Sequence, residues 1–396
     1  MRVEHVTPED EVGLSSSGLD QAFRLLETAV ESGFIPGLAT AIYRSGKLVR
    51  VGAAGSRVPG EAGPSVGRDT IFLIASLSKP IVCAGALLLL QEGAFSLDQP
   101  LCSVIPEFTG GGKEDILIRH VLTHTSGLCD QLPDSPALRR RQAPLEDFTR
   151  AVCQSMLRFP PGTGVSYQSM GILMIGTLVE RITGMRLRDY LRERLFDPLG
   201  MRTTTLGMPA SGMERAALSL PAPFSPDSND VGDDWNTSYW RALGAPWGGI
   251  HSTVEDLGLF LMHMLGQREG PLSASLRAAM TMDHVAYMPG IPPAERMANR
   301  WGLGWRLDRS YFGDLLSSRT FGHAGATGAV YWADPFSGLA CVLLTNQPRL
   351  LRAAPPEYEN LVPRYGNALA AAIVDLCAGE TEPQDEPGAT AVSSCG

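Results

Sequence analysis

The stretch Ser76-Leu77-Ser78-Lys79-Pro80, running straight into the apolar segment Ile81 to Leu90, constrains this chain more than any other. Proline lacks an N–H and is tolerated in a helix only in its first turn, so a helix is expected to begin close to Ser76. The apolar segment is about half as long as a membrane span requires, which predicts a buried helix. Residues three apart lie on one helical face, so the Lys79 amine reaches the Ser76 hydroxyl without any long-range contact. A serine is a weak nucleophile until a base takes its proton, and a lysine stripped of water becomes neutral enough to take part in that transfer. The unpaired N–H groups and positive dipole end of a helix start favour negative charge near the serine oxygen. A capping serine followed by a solvated lysine would spell the same four residues, so elements further along the chain must decide between the two.

Two such elements come in a fitting order. Tyr167-Gln168-Ser169 follows the turn-forming run Pro160-Pro161-Gly162-Thr163-Gly164 and precedes a helical segment from Gly171 to Ile182. A tyrosine at such a junction is placed to shuttle a proton into a cleft, although an ordinary half-buried tyrosine reads the same way. His323-Ala324-Gly325 precedes Ala329 to Trp332, the turn Asp334-Pro335-Phe336-Ser337-Gly338 and Leu339 to Thr345, a predicted β-hairpin with the triplet at its entry. The small residues there would let substrate lie against the strand backbone. The Ala326 N–H is the expected partner of the Ser76 N–H in an oxyanion hole.

Taken jointly, Ser76-Leu77-Ser78-Lys79, Tyr167-Gln168-Ser169 and His323-Ala324-Gly325 resemble the three motifs of the class C β-lactamase and penicillin-binding-protein superfamily. Val121 to Leu128, reading Val-Leu-Thr-His-Thr-Ser-Gly-Leu, is similar to the Leu-x-His-x-x-Gly box of its esterase and peptidase branches, and Trp247-Gly248-Gly249-Ile250 resembles another recurrent segment. The likeness extends over roughly residues 15 to 375. It implies a β-lactamase-like α/β (α+β) fold, an antiparallel sheet flanked by N- and C-terminal helices with a mainly helical lobe inserted. It also implies acyl transfer through Ser76, with Lys79 and Tyr167 as acid and base and no cofactor.

The departures from the lactamase pattern refine the expectation. Ser169 stands where a lactamase has asparagine, and a hydroxyl lacks the paired donor and acceptor of an amide. His323 stands where a lactamase has lysine, replacing a permanent cation by a residue mostly neutral at pH 7. Both changes weaken recognition of penicillins and peptide C-termini and resemble the family VIII carboxylesterases. The expected reaction is therefore hydrolysis of small carboxylic esters, with a weak lactamase side activity. His323, Gly325 and Ser169 are expected to orient substrate and Trp247 to wall the pocket. An acyltransferase, a β-lactamase or a D-amino-acid peptidase would use the same site, and a ligand-binding receptor would keep the fold without the chemistry.

Other chemistries find less support. No Gly-x-Ser-x-Gly pentapeptide signals an α/β-hydrolase, and nothing ties His124 or His251 to Ser76 as a base. His124 is expected to brace its loop through hydrogen bonds. His120 and His124 are spaced to share a helical face, but no acidic or cysteine partner joins them at a zinc-like spacing, so no metal is expected. A net charge of -9 gives no footprint for nucleic acid. Seven scattered cysteines, several inside apolar runs, read as buried reduced thiols, and the first residues show no apolar signal segment. The expectation is a cytoplasmic enzyme with no membrane contact; its oligomeric state is left open.

Along the chain, Leu19, Ala22, Phe23, Leu26 and Val30 mark a helix between Gly18 and Gly33, and Leu38 to Tyr43 with Leu48 to Val51 flank a Ser45-Gly46 hairpin turn. Ser252-Thr253-Val254-Glu255 reads as a capping box, and Leu369 to Cys377 as a closing helix. The predicted organisation is a sheet lobe from 1–75 and 241–379, a helical lobe from 76–240 and a disordered tail from 380–396. Met201 to Trp240 and Met288 to Arg300 are candidate pocket walls.

Overall fold

The computed structural model describes residues 1–60, 63–221, 235–351 and 353–374. Its main element is a six-stranded antiparallel sheet formed by β1 (Arg2–His5), β2 (Gly37–Arg44), β3 (Lys47–Gly55), β7 (Phe321–Ala324), β8 (Val330–Asp334) and β9 (Leu339–Thr345), in the order β1-β3-β2-β9-β8-β7. The N-terminal hairpin turns at Ser45 and Gly46, both with positive φ (52° and 79°), the twist that suits a two-residue connection. β2 then pairs with β9 from Leu38↔Thr345 to Arg44↔Leu339, so the two ends of the chain meet at the centre of the sheet.

Side-chain alternation divides this sheet cleanly. Leu38 and Ile42 of β2 and Cys341 and Leu343 of β9 face the helices Ser16–Glu31 and Leu361–Ala371. Ala39, Ala41 and Tyr43, with Val342 and Leu344, face the opposite way, into the larger core that holds the helices Ser78–Gln91, Met170–Thr183 and Val254–Met264. Because both faces are covered, β2 and β9 are buried along their whole lengths. The expected antiparallel sheet flanked by N- and C-terminal helices is thus present, with helices between the two strand-bearing parts of the chain.

A second sheet matters more for the site. β4 (Phe72–Leu73), β5 (Thr205–Leu206) and β6 (Ile250–Ser252) pair in the order β4-β6-β5. The ladder continues through Ile74 N to Ile250 O (3.0 Å) and ends where Ile250 N donates to Ser78 Oγ (3.1 Å). It therefore ties the segment entering Ser76 to the segment that follows Trp247. Strands of two or three residues carry too little alternation to be read from sequence.

Several boundaries differ from expectation for local reasons. The first helix begins at Ser16, with Ser15 Oγ accepting from Gly18 N, so Gly18 lies inside it. The cap at the Val254–Met264 helix is Thr253, accepting from Asp256 N, one residue after the serine of the apparent capping box. The closing helix spans Leu361–Ala371 and so starts well before Leu369; Pro363 sits in its first turn, where proline is harmless. Residues 375–396, including the tail expected to be disordered, lie outside the described residues. His323 is not at a hairpin entry but within β7, an edge strand. Among the described residues no helix is long and apolar enough to cross a membrane.

Candidate active site

The segment carrying Ser76 is a short 3-10 turn, Ala75–Leu77, that passes directly into the Ser78–Gln91 helix. Ala75, just before the serine, has φ of 47°, a left-handed backbone that residues with a Cβ rarely adopt. The turn is held from three sides: by Ile250 through the small sheet, by Tyr331 Oη donating to Leu77 O (2.8 Å), and by Thr327 Oγ1 donating to Leu73 O (2.9 Å). Gly325 completes the support, since a Cβ added there would lie 2.4 Å from Ile74 O. The absence of a side chain lets the end of β7 close on the segment that carries Ser76, a packing reason distinct from the expected room for substrate.

Lys79 is completely buried one turn along. Its Nζ donates to Ser76 Oγ and to Trp247 O, each at 2.9 Å, and lies 4.7 Å from the centre of the Tyr167 ring. Loss of water around the amine pulls it down from 10.5 to about 7, against the opposing field of Asp130. The amine is thus close to half neutral near pH 7 while touching the serine oxygen. An ordinary exposed lysine would be fully charged there.

Tyr167 stands on the other side, on the loop leading into Met170–Thr183. His124 braces that loop: its Nδ1 accepts from Gln168 N (3.3 Å), its carbonyl accepts from Ser166 N (2.9 Å), and its ring lies 4.8 Å from that of Tyr167. The His124 backbone has φ of 61° and lies beyond the Ile118–Leu122 helix, so it shares no helical face with His120. His251 is on β6, its Nδ1 donating to Gly249 O (3.2 Å), and burial pushes it down to about 3.

Ser76, Tyr167, His323, Gly325 and Ala326 open onto one cavity of about 220 Å³. Trp301, Arg306 and Tyr311 also line it. His323 Nδ1 donates to Ala324 O (2.9 Å), and burial together with the Lys79 charge keeps the ring well below its ordinary value, hence neutral. Two expected pocket residues sit elsewhere. The Trp247 ring is turned into the core against Phe148 and Trp240, with centroid distances of 5.9 and 6.2 Å, and only its carbonyl reaches Lys79. Ser169 is buried and donates to Asp130 Oδ1 (2.6 Å) rather than lining the cavity. None of the described residues of Met201 to Trp240 or Met288 to Arg300 lines it either.

Sequence reasoning passed over Ala75, Asp130, Trp301, Arg306 and Tyr311. Alanine gives no hint of a strained backbone, and the cavity wall comes from a loop with no periodicity. The pair of tryptophans in Trp301-Gly302-Leu303-Gly304-Trp305, set among glycines and followed by Arg306, was the available signal.

A class of protein follows from this geometry and from comparison with known proteins. The chain belongs to the Beta-lactamase family, whose profile matches residues 22–362, and is a serine hydrolase of the β-lactamase and penicillin-binding-protein superfamily. It is 28% identical over 366 residues to Esterase EstB of Burkholderia gladioli, covering 83% of this chain and 89% of that protein. It is 29% identical to Penicillin-binding protein 4 of Amycolatopsis lactamdurans, covering 79% and 81%. In fold it matches the crystal structure of a family VIII carboxylesterase with a TM-score of 0.73 at 19% identity, over 94% of this chain and all (100%) of that one.

Proposed function

We propose that the protein hydrolyses small carboxylic esters through an acyl-enzyme on Ser76. The observation that carries this reading is the 2.9 Å contact between Ser76 Oγ and a buried Lys79 amine held at about 7, with the Tyr167 ring 4.7 Å from that amine and lining the same cavity as Ser76. Ser76 Oγ attacks the ester carbonyl carbon while its proton passes to the Lys79 and Tyr167 pair. The Ser76 and Ala326 N–H groups receive the developing oxyanion. The C–O bond to the alcohol breaks, and the pair returns the proton to the leaving oxygen. Water then attacks the acyl carbon, gives a proton to the pair, and the bond to Oγ breaks as Ser76 is reprotonated. The two coupled groups share these protons as a unit. The similarity to Esterase EstB supports ester over lactam as substrate, as does the absence of a cation at position 323. A cavity of about 220 Å³ suits short acyl chains, being smaller than the roughly 300–1,000 Å³ of drug-sized pockets.

Incubation with a panel of esters and β-lactams followed by intact-protein mass spectrometry tests the reading, since the adduct mass reports the trapped acyl group. His323, on the cavity wall, orients the substrate. Its replacement by alanine is expected to raise KM for p-nitrophenyl butyrate several-fold, and unchanged kinetics would remove it from the site.

Arg306 favours a second, narrower reading in which the ester carries a carboxylate. Its guanidinium lies on the cavity wall between the rings of Trp301 (5.2 Å) and Tyr311 (4.9 Å), with Asp308 at 3.8 Å. Such stacking presents a planar fork suited to an anionic group. Mono-p-nitrophenyl glutarate should then outrun p-nitrophenyl butyrate by about tenfold in kcat/KM, and Arg306→Gln should erase the difference. Equal rates for the two esters in the unaltered enzyme would sink this reading and leave the broader one standing.

A further inference from the structure

A second cavity, of about 520 Å³ against about 220 Å³ at Ser76, lies between the helices Leu145–Gln154 and Met170–Thr183 and shares no lining residue with the first. Its volume falls in the range of pockets that hold drug-sized ligands. Helical spacing explains its walls. Leu145, Thr149 and Cys153 recur every four residues along one helix, and Leu173, Thr177 and Glu180 every three or four along the other, so each turns one face to the gap. Thr149 Oγ1 and Thr177 Oγ1 meet across it at 3.4 Å. Gly176 sets the floor: a Cβ there would lie 2.9 Å from Pro246 Cγ and 3.0 Å from Leu187 Cδ2, so its absence lets both apolar side chains close on the helix. Pro246 directly precedes Trp247, whose carbonyl holds Lys79 Nζ, so one peptide separates this floor from the acyl-transfer centre.

The rim decides the charge of what fits. Three glutamates and two arginines line it. Arg181 is paired with Glu107, and Arg150 with Asp147 at 2.8 Å, so both arginines are engaged. Glu180 accepts from Leu187 N through Oε1 (2.8 Å), and among the described residues no cationic side chain pairs with Glu146 or Glu180. Two carboxylates are thus left on the wall of a cavity floored by leucine and proline. We propose that this cavity is a second small-molecule site, for an amphiphile with an apolar body and an ammonium head, the body on Leu173, Leu187 and Pro246 and the head against Glu146 and Glu180. A carboxylate head would meet like charge there, and a neutral molecule would gain the apolar floor alone.

The test follows alkylation of Cys153, half-buried in the cavity wall, by iodoacetamide in the full chain, with 4-phenylbutylammonium, 4-phenylbutanol or 4-phenylbutyrate present and peptide mass spectrometry as the readout. Burial raises the Cys153 thiol above its ordinary value, so the reaction is run at roughly pH 9. Cys102 and Cys129, also half-buried but outside the cavity, are internal controls. The ammonium is expected to protect Cys153 at about fivefold lower concentration than the alcohol, and the carboxylate to protect least, while the two controls react unchanged. Glu146→Gln combined with Glu180→Gln should bring the ammonium to the level of the alcohol. Both positions are exposed and glutamine keeps an acceptor for Leu187 N, so this variant should fold. No protection of Cys153 by the ammonium, equal protection by ammonium and carboxylate, or protection undiminished in the double variant overturns the proposal. None of these outcomes bears on acylation of Ser76, which the ester and β-lactam panel tests separately.

Discussion

Ser76→Ala is expected to lower p-nitrophenyl butyrate turnover by at least about a thousandfold and to abolish covalent labelling by a fluorophosphonate, while the protein stays folded. The loss is large because the attacking atom itself is removed, leaving the cavity and the N–H groups of the oxyanion site with nothing to acylate. The fold should survive because Ser76 Oγ makes one side-chain contact, the bond from Lys79, and alanine fits the 3-10 turn without a new clash. A destabilisation below about 1 kcal/mol is expected for such a substitution. Circular dichroism and a thermal melt check the fold; intact mass after inhibitor treatment checks the nucleophile. Full turnover in the variant would falsify the assignment.

Lys79→Met should separate activity from stability in opposite directions. With the amine depressed from 10.5 to about 7, the unaltered protein binds fewer protons on this group than the unfolded chain does between those two values. Its stability therefore rises with pH across that window, and the burden of burying the amine is felt in full below about pH 7. Removing the amine lifts that burden, on the order of a few kcal/mol, but leaves the Trp247 carbonyl without its donor, which costs about 1–3 kcal/mol. The expected net result is a modest gain at pH 7 that shrinks or reverses by pH 10, read from urea midpoints at both values. Catalysis should move the other way. In the unaltered enzyme kcat/KM should fall about tenfold per pH unit below roughly pH 7, as the amine takes up its proton. Lys79→Met should lose that limb along with most of its activity, and a variant as active as the unaltered enzyme would remove Lys79 from the mechanism.

The proposed catalytic pair was legible in the sequence because its parts are local. Ser76 and Lys79 lie one helical turn apart, and Pro80 marks where that helix must start, so their contact follows from helical geometry alone. The hairpin at Ser45 and Gly46 and the central strands were legible for the same reason, since a turn dipeptide and short apolar runs are properties of short windows. Boundaries slipped by one to several residues where a hydroxyl fixed the helix start: Ser15, ahead of the Gly18 expected as the boundary, and Thr253 in place of Ser252.

What sequence alone determined about this protein is the placement of the Ser76 hydroxyl against the Lys79 amine and the order in which the tyrosine and histidine motifs arrive. Tertiary structure decided which side chains face the cavity. Trp247 contributes its carbonyl and hides its ring, Ser169 turns to Asp130, and Trp301 with Arg306 joins the cavity lining. The physical reason is that a reactive pair on one helix is set by backbone periodicity, whereas the direction of a loop side chain depends on competition among distant partners for the same buried volume and the same hydrogen bonds.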